Sequence, residues 1–378
     1  MTAAELVSDI LKGNRSIGQT QNLIRYLLSD KKEIVDWDPI YISIFLTYNC
    51  NLKCNMCLTH STKFSNSFGQ KPTNDVDLGL FKHILDRYRN AIGVRLIGNG
   101  EPLLNKDLFD MIEYAASTRK MDVSSGSNGI LLGKYIEQIL NSKLKYFDIS
   151  INGHNPKEFN RMTGMSKDYF EKICSNTIAL VKKRNALNSK LKIAVSIILD
   201  KVNYKYLIDM IYFADTLGVD NINFFHFLPV DEEGFTAEER CLFADDPDVL
   251  KAFSEVESLP KNIRDKVTLP PLLDQTMSSN KFCSVWFYNI SVDGNENVGG
   301  CCCQILDLSK FGKLYEGDAW NNQCFQEMRK KFMYPERPLL KPCTWCYQNS
   351  SNVHNLILGK NFIISTLRKV YKIIHINI

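Results

Sequence analysis

Between residues 41 and 227 the chain alternates short β-branched or aromatic runs with longer amphipathic ones, and this rhythm leaves few folds open. Residues 41–47, 94–97, 121–125, 146–151, 191–198 and 221–227 read as six strands, with helical patterns at 78–90, 106–118, 167–184 and 204–217 between them. Strands separated by helices of this length run parallel, with right-handed crossovers. The expected architecture is α/β: a partial (β/α)6 TIM-type barrel. Before it, residues 1–38 read as an N-terminal helical extension, and the barrel itself takes 39–230. After it come a partly helical connector over 231–282, a small C-terminal α+β domain over 283–350 and a basic amphipathic tail over 351–378.

Composition narrows the function classes. With 44% hydrophobic and 23% charged residues the chain is globular. No apolar run reaches the length of a bilayer-crossing helix. A net charge of +4 is too mild to argue for nucleic acid as the main partner. The first residues carry no basic-then-apolar export signal, so a cytoplasmic location is expected and disulfides are a poor use for the 12 cysteines. Metal ligation is the better one.

Cys50, Cys54 and Cys57 are spaced C-x3-C-x2-C directly after the first strand. Three thiolates with no fourth ligand nearby suit an iron–sulfur cluster with one open iron. Zinc more often shows paired knuckles with a fourth partner. Loops after strands lie at the catalytic end of a parallel barrel. After the second strand comes Gly98-Asn99-Gly100-Glu101-Pro102. Its glycines let the backbone approach a ligand, and Glu101 offers a carboxylate to an amino group.

With these two motifs on adjacent strands, residues 40–230 resemble the radical S-adenosylmethionine (radical SAM) superfamily. The resemblance implies a [4Fe–4S] cluster on Cys50, Cys54 and Cys57. S-adenosyl-L-methionine would chelate its fourth iron, and reductive cleavage would give a 5′-deoxyadenosyl radical that abstracts a substrate hydrogen. By position, Gly100 and Glu101 meet the methionine amino group. Tyr48, Met56 or nearby backbone touch the adenine, and Ser127, Ser150 and Ser196 lie near SAM or its ribose. Arg161 either pairs with the SAM carboxylate or is an ordinary solvated arginine.

The second cysteine group is Cys283, the run Cys301-Cys302-Cys303, and Cys343 with Cys346, set around a strand over 286–292, a turn at Asp293-Gly294 and a helix over 322–333. It resembles the SPASM/twitch extension of the same superfamily. The spacing after Gly294 is longer than usual, and no further cysteine follows Cys346. The shorter twitch form is therefore expected, with an auxiliary [4Fe–4S] cluster on Cys283, Cys301 (or Cys302), Cys343 and Cys346. A zinc ribbon held by the same four cysteines is the rival. Cys174, Cys241 and Cys324 read as structural.

The resemblance implies oxidation, with the auxiliary cluster accepting an electron and a base at the barrel mouth taking a proton; His226, Asp231 and Glu232 are the candidates. A small polar substrate (sugar, aminocyclitol or nucleotide-like) is favoured. Only 49 residues precede Cys50, too few for the winged-helix recognition domain common in peptide maturases. Peptide or protein side-chain maturation is the alternative, and a non-catalytic metal-stabilised binding protein the second. Expected partners are the substrate and a reductant such as flavodoxin or ferredoxin; the tail suits either weak membrane-surface contact or packing on the barrel or a partner subunit, and nucleic acid is not expected.

Overall fold

The computed structural model describes residues 14–61, 73–229, 234–273, 283–301 and 308–334. Six strands fall where the sequence predicts them: β1 (Tyr41–Phe45), β2 (Gly93–Ile97), β3 (Asp122–Ser127), β4 (Tyr146–Ser150), β5 (Lys192–Leu199) and β6 (Asn221–His226), all paired in parallel. The connector supplies β7 (Val267–Thr268), which pairs parallel with β6. β8 (Asn289–Asp293) pairs parallel with β1, and β9 (Val298–Gly299) returns antiparallel to β8. The nine-stranded order is β7-β6-β5-β4-β3-β2-β1-β8-β9. Its edges do not meet, so the barrel is partial, as expected.

Period-two alternation decides which face each residue takes. Val94, Leu96, Val123, Phe147, Ile149, Ile193 and Val195 are buried in one continuous core with the helices outside the sheet. Leu78–Arg87 contributes Phe81, Ile84 and Leu85 to it, the spacing of one helical face. Lys167–Ala186 contributes Phe170, Ile173, Thr177, Leu180, Val181 and Arg184.

Two helices escaped the sequence reading, Leu132–Asn141 and Pro156–Thr163. The second was signalled. Asn155 caps it by accepting the Glu158 N–H at 3.0 Å, Pro156 opens it, and Gly164 closes it in the left-handed conformation at φ 74°. The run at 286–292, read as one strand, begins instead as the helical turn Val285–Tyr288. A short apolar run does not separate the two states by periodicity, and here burial of Trp286 and Phe287 decides.

The boundary drawn at 283 separates units of sequence but not of sheet, because β8 extends the barrel's own ladder beside β1. The N-terminal segment is tied to the same region. Trp37 Nε1 donates to Phe287 O at 2.8 Å, and Trp320 Nε1 donates to Trp37 O at 2.9 Å. Arg329, fully buried, donates to the carbonyls of Glu33, Trp286 and Trp320, each at 2.9 Å. The one N-terminal helix described, Ile17–Leu28, lies near the strands' starting ends, where Gln19 Nε2 donates to Ala91 O. Among the described residues no helix is long and apolar enough to cross a membrane. The tail at 351–378 lies outside the described residues.

Candidate active site

The loop after β1 carries the three spaced cysteines at the C-terminal end of the sheet. Its backbone is anchored to the end of the helix Pro156–Thr163: Asn55 N–H donates to Thr163 O at 3.1 Å and Met56 N–H to Met162 O at 3.2 Å. Leu52 N–H donates to Cys50 Sγ at 3.4 Å, and His60 N–H to Cys57 Sγ at 3.3 Å. Cys50, Cys54 and Cys57 are half-buried, and none forms a disulfide. Burial, then the neighbouring Cys57 and Cys50, pushes the Cys54 thiol up to about 12; burial raises Cys50 as well. Such thiols ionise when a metal displaces their protons. Among the described residues no three Cys, His, Asp or Glu side chains converge as around a single ion. Thiols close enough to influence one another's ionisation, and already receiving N–H donors, fit a multi-iron cluster.

The loop after β2 is built against this one. A Cβ on Gly100 would stand 2.1 Å from Asn49 O, and one on Gly98 2.7 Å from Thr47 O. This close approach brings Glu101 N–H to Asn49 O at 2.8 Å. Glu101 is 1% exposed. Its carboxylate accepts the N–H of Leu103 at 3.1 Å and that of Asn128 at 2.8 Å, with Ser127 also bonded to it. Burial still raises its pKa above the ordinary carboxylate range. Glu101 is thus a clamp between the loops after β2 and β3, with lone pairs left over for a ligand. The Asn99 amide nitrogen is buried without a hydrogen-bond partner among the described residues, a donor suited to an acceptor on a bound group.

Asn128, next to the Ser127 singled out from the sequence, joins the two motifs. Its backbone reaches Glu101, and its side chain reaches Cys50 Sγ at 3.8 Å and Asn51 Oδ1 at 2.8 Å. Ser127 is buried, accepting the Gly129 N–H at 3.0 Å. Ser150 is exposed at the end of β4, in register with Ser196 on β5. Ser196 Oγ donates to Asp148 Oδ2 at 2.5 Å. Tyr48 packs near Phe45 and Leu308, and Met56 against Phe227 and Phe235.

Two expectations change. Arg161 is no freely solvated arginine: it donates through Nε to Glu158 at 2.9 Å and through both terminal nitrogens to Asp200 at 2.9 and 3.1 Å. Burial pushes the Asp200 pKa up, but the Arg161 hydrogen bond and charge outweigh it and hold the carboxyl below the usual range. His226 is not at the mouth. On β6 it shares the buried face with Ile222 and Phe224, and its Nε2 lies 2.7 Å from Pro271 O. Burial lowers its pKa to about 4. The alternation that places Asn223 inside the barrel turns His226 outward, which removes it as a base.

Asp231, Glu232, Cys302, Cys303, Cys343 and Cys346 lie outside the described residues. Cys283 and Cys301 are buried on either side of the β8–β9 hairpin. Gly300 between them lies under the Trp286 ring, where an added Cβ would stand 2.3 Å from it.

The inner face of the sheet is unlike a packed barrel core, which branched aliphatics normally fill. By the same alternation it carries Ser43 on β1, Arg95 on β2, Ser124 on β3, Asp148 and Ser150 on β4, Ser196 on β5 and Asn223 on β6, with the apolar Phe45, Ile97, Ile198 and Phe225 nearer the strand ends. Such a lumen suits a polar ligand below the cysteine loop.

Residues 44–214 match the family model of the Radical SAM superfamily. Among curated proteins, the GTP 3′,8-cyclase of Vibrio vulnificus is 30% identical over 130 residues, 34% of this chain and 38% of that one. The probable GTP 3′,8-cyclase of Methanocaldococcus jannaschii is 27% identical over 195 residues, 51% of this chain and 60% of that one. The chain therefore spans less than two thirds of these relatives. Among solved structures, Streptococcus suis SuiB bound to precursor peptide SuiA matches with a TM-score of 0.59 at 16% identity, covering 87% of this chain and 73% of that one. Native anSMEcpe with bound AdoMet matches with a TM-score of 0.57 at 16% identity, covering 82% and 88%.

Proposed function

The chain belongs, through residues 44–214, to the radical SAM superfamily, and on that premise we propose that it is a SAM-cleaving oxidoreductase acting on a small polar, nucleotide- or sugar-like substrate. The observation that carries the reading is the pairing of a cysteine loop at the C-terminal end of the sheet with a row of polar side chains deeper on the inner face of the same sheet. When bound, the [4Fe–4S] cluster and SAM supply a hydrogen-abstracting carbon radical. Cys50, Cys54 and Cys57 would hold the cluster, and Asn99, Gly100 and Glu101 the methionine end of SAM. Glu101 and Asn128 keep the loops after β1, β2 and β3 in fixed relation. With His226 turned outward, Asp148 is the lumen carboxylate available to accept the substrate's proton. Its burial raises its pKa, which improves it as a base near neutrality.

An auxiliary twitch-type cluster on Cys283, Cys301, Cys343 and Cys346 is the natural acceptor for the second electron. It belongs to the proposal, as do a flavodoxin- or ferredoxin-like reductant and a cytoplasmic setting. The small-molecule reading draws support from the curated relatives, named for a reaction of GTP. Peptide maturation draws on the peptide in SuiB, but at that identity the likeness carries the fold alone.

The test is anaerobic. The reconstituted, reduced protein is given SAM and a cell extract split by size, and 5′-deoxyadenosine is measured above the no-extract background. Stimulation by the small-molecule fraction supports the proposal. Stimulation by the macromolecular fraction alone overturns the substrate assignment, and no SAM cleavage under any condition overturns the activity.

A further inference from the structure

We propose that Arg95, at the middle of β2, is an oxyanion-binding residue that takes a phosphate or carboxylate group of the substrate inside the barrel. The inference rests on the small-polar-substrate reading and deepens it.

The position is unusual for an arginine. Val94 and Leu96, its neighbours in β2, are buried in the core outside the sheet, so Arg95 occupies the inner face. It is nonetheless exposed. Tyr41 of β1 and Asp148 of β4 fall on the same face by the same alternation, and the charge of Arg95 bears on both. Other cationic side chains near the sheet's starting end are committed. Arg15 pairs with Asp122 at 2.5 Å, and Lys145 is ion-paired with the same carboxylate. Arg95 forms no ion pair or side-chain hydrogen bond with any described residue.

Its surroundings are those of a binding floor. In register beside Arg95 stand Ser43 on β1 and Ser124 on β3. Ser43 Oγ donates to Asn289 Oδ1 at 3.0 Å, whereas the Ser124 hydroxyl has no partner among the described residues. One step up the lumen, Asp148 Oδ1 is buried and without a hydrogen-bond partner. Gly126, its register partner on β3, packs closely against the β4 main chain, where a Cβ would stand 2.9 Å from Asp148 O. A planar, always-charged fork is the side chain best matched to phosphate or carboxylate. An unpaired one among hydroxyls, below an unsatisfied carboxylate oxygen, suits a ligand that carries an oxyanion at one end and a hydroxyl or amino group one step away. Arg95 lies two residues before the end of β2 and has no hydrogen bond to the loops that Glu101 clamps, and the SAM titration below distinguishes this position from the cofactor end of the site.

The experiment uses the full chain, reconstituted anaerobically, and reads thermal unfolding midpoints. Inorganic phosphate, pyrophosphate and succinate are titrated at constant ionic strength, each against a sodium chloride control. The same proteins are titrated with SAM. One or more of the three probes should stabilise the wild type, and which one does so separates phosphate from carboxylate. In R95Q that stabilisation should need on the order of 10- to 100-fold more probe, the loss expected for a charge-assisted pair. R95K should fall between the two, and SAM should stabilise all three proteins equally. Stabilisation by no probe in the wild type, or equal stabilisation in R95Q, would overturn the proposal. Loss of SAM stabilisation in R95Q would also overturn it, by moving Arg95 to the cofactor. Failure of the wild type to cleave SAM sinks the proposed activity but leaves this binding result standing.

Discussion

Replacing Gly100 by alanine should release the cysteine loop. The added methyl would stand 2.1 Å from Asn49 O, 2.7 Å from Asn49 C and 2.8 Å from Asn49 N. All three are backbone atoms of the residue before Cys50, so no side chain can rotate out of the way. Overpacking of this kind costs about 1–3 kcal/mol. The backbone shift that relieves it would also disturb the bonds from Gly100 N–H to Thr47 O at 3.1 Å and from Glu101 N–H to Asn49 O at 2.8 Å, each worth about 0.5–1.5 kcal/mol. Together these come to about 2–6 kcal/mol. For 378 residues the unfolding entropy is about 0.8 kcal/mol/K, which converts the loss to roughly 3–8 °C in Tm. The shift displaces Cys50, so the sharper readout is iron and sulfide bound per chain after anaerobic reconstitution. G100A should bind less than half the wild-type amount. Gly79→Ala is the control: it sits in the helix Leu78–Arg87, where an added Cβ meets only the Asp77 side chain at 3.2 Å. It should keep full iron content and the wild-type Tm. Wild-type iron content and Tm in G100A would refute the reasoning that the loop after β2 sets the cysteine geometry.

Three further outcomes can be read from the same structure. Below pH 6.5 the unfolded chain protonates His226 while the folded one, with the pKa near 4, does not; stability is therefore lost as pH falls from about 6.5 toward 4, by up to about 3 kcal/mol, and denaturant titrations of H226Q should lack that part of the slope. Arg329→Met strands the carbonyls of Glu33, Trp286 and Trp320 in a buried site, so chemical denaturation should show a loss of about 3–5 kcal/mol, and a change under about 1 kcal/mol would mean that the buried arginine is no staple. Asp148→Asn should preserve SAM cleavage without substrate while lowering substrate oxidation by about 10-fold or more, measured as product per 5′-deoxyadenosine; equal product yield would remove Asp148 as the proton acceptor.

The strands were legible because parallel β/α units write two periods in turn, and the cysteine trio because its spacing is local. What stayed hidden was relational. Asp148 and Arg95 look like solvated charges in a linear reading, and only the side of the strand on which they fall gives them a lumen. The same alternation removed His226, whose position at a strand end looked favourable until the parity of β6 was known. Asn128 carries no signal of its own beyond a turn dipeptide, since its partners lie 27 and 78 residues away at Glu101 and Cys50. The partnership of β8 with β1 had no local signature at all: an apolar strand does not announce which neighbour it will choose.

That partnership has a consequence for how the protein is made. Ser43 on β1 and Asn289 on β8 are bonded across 246 residues of chain. At about 5–20 residues per second on a ribosome, β1 waits roughly 12–50 s for its second neighbour. For that interval the strand that leads into the cysteine loop is an open edge, with unpaired backbone groups and the apolar side chains of Ile42 and Ile44 beside it. Exposed edges of this kind recruit other strands. Low temperature, which slows synthesis further, lengthens that window, while a chaperone that covers strand edges closes it. The last third of the chain thus protects an edge that the first third opens.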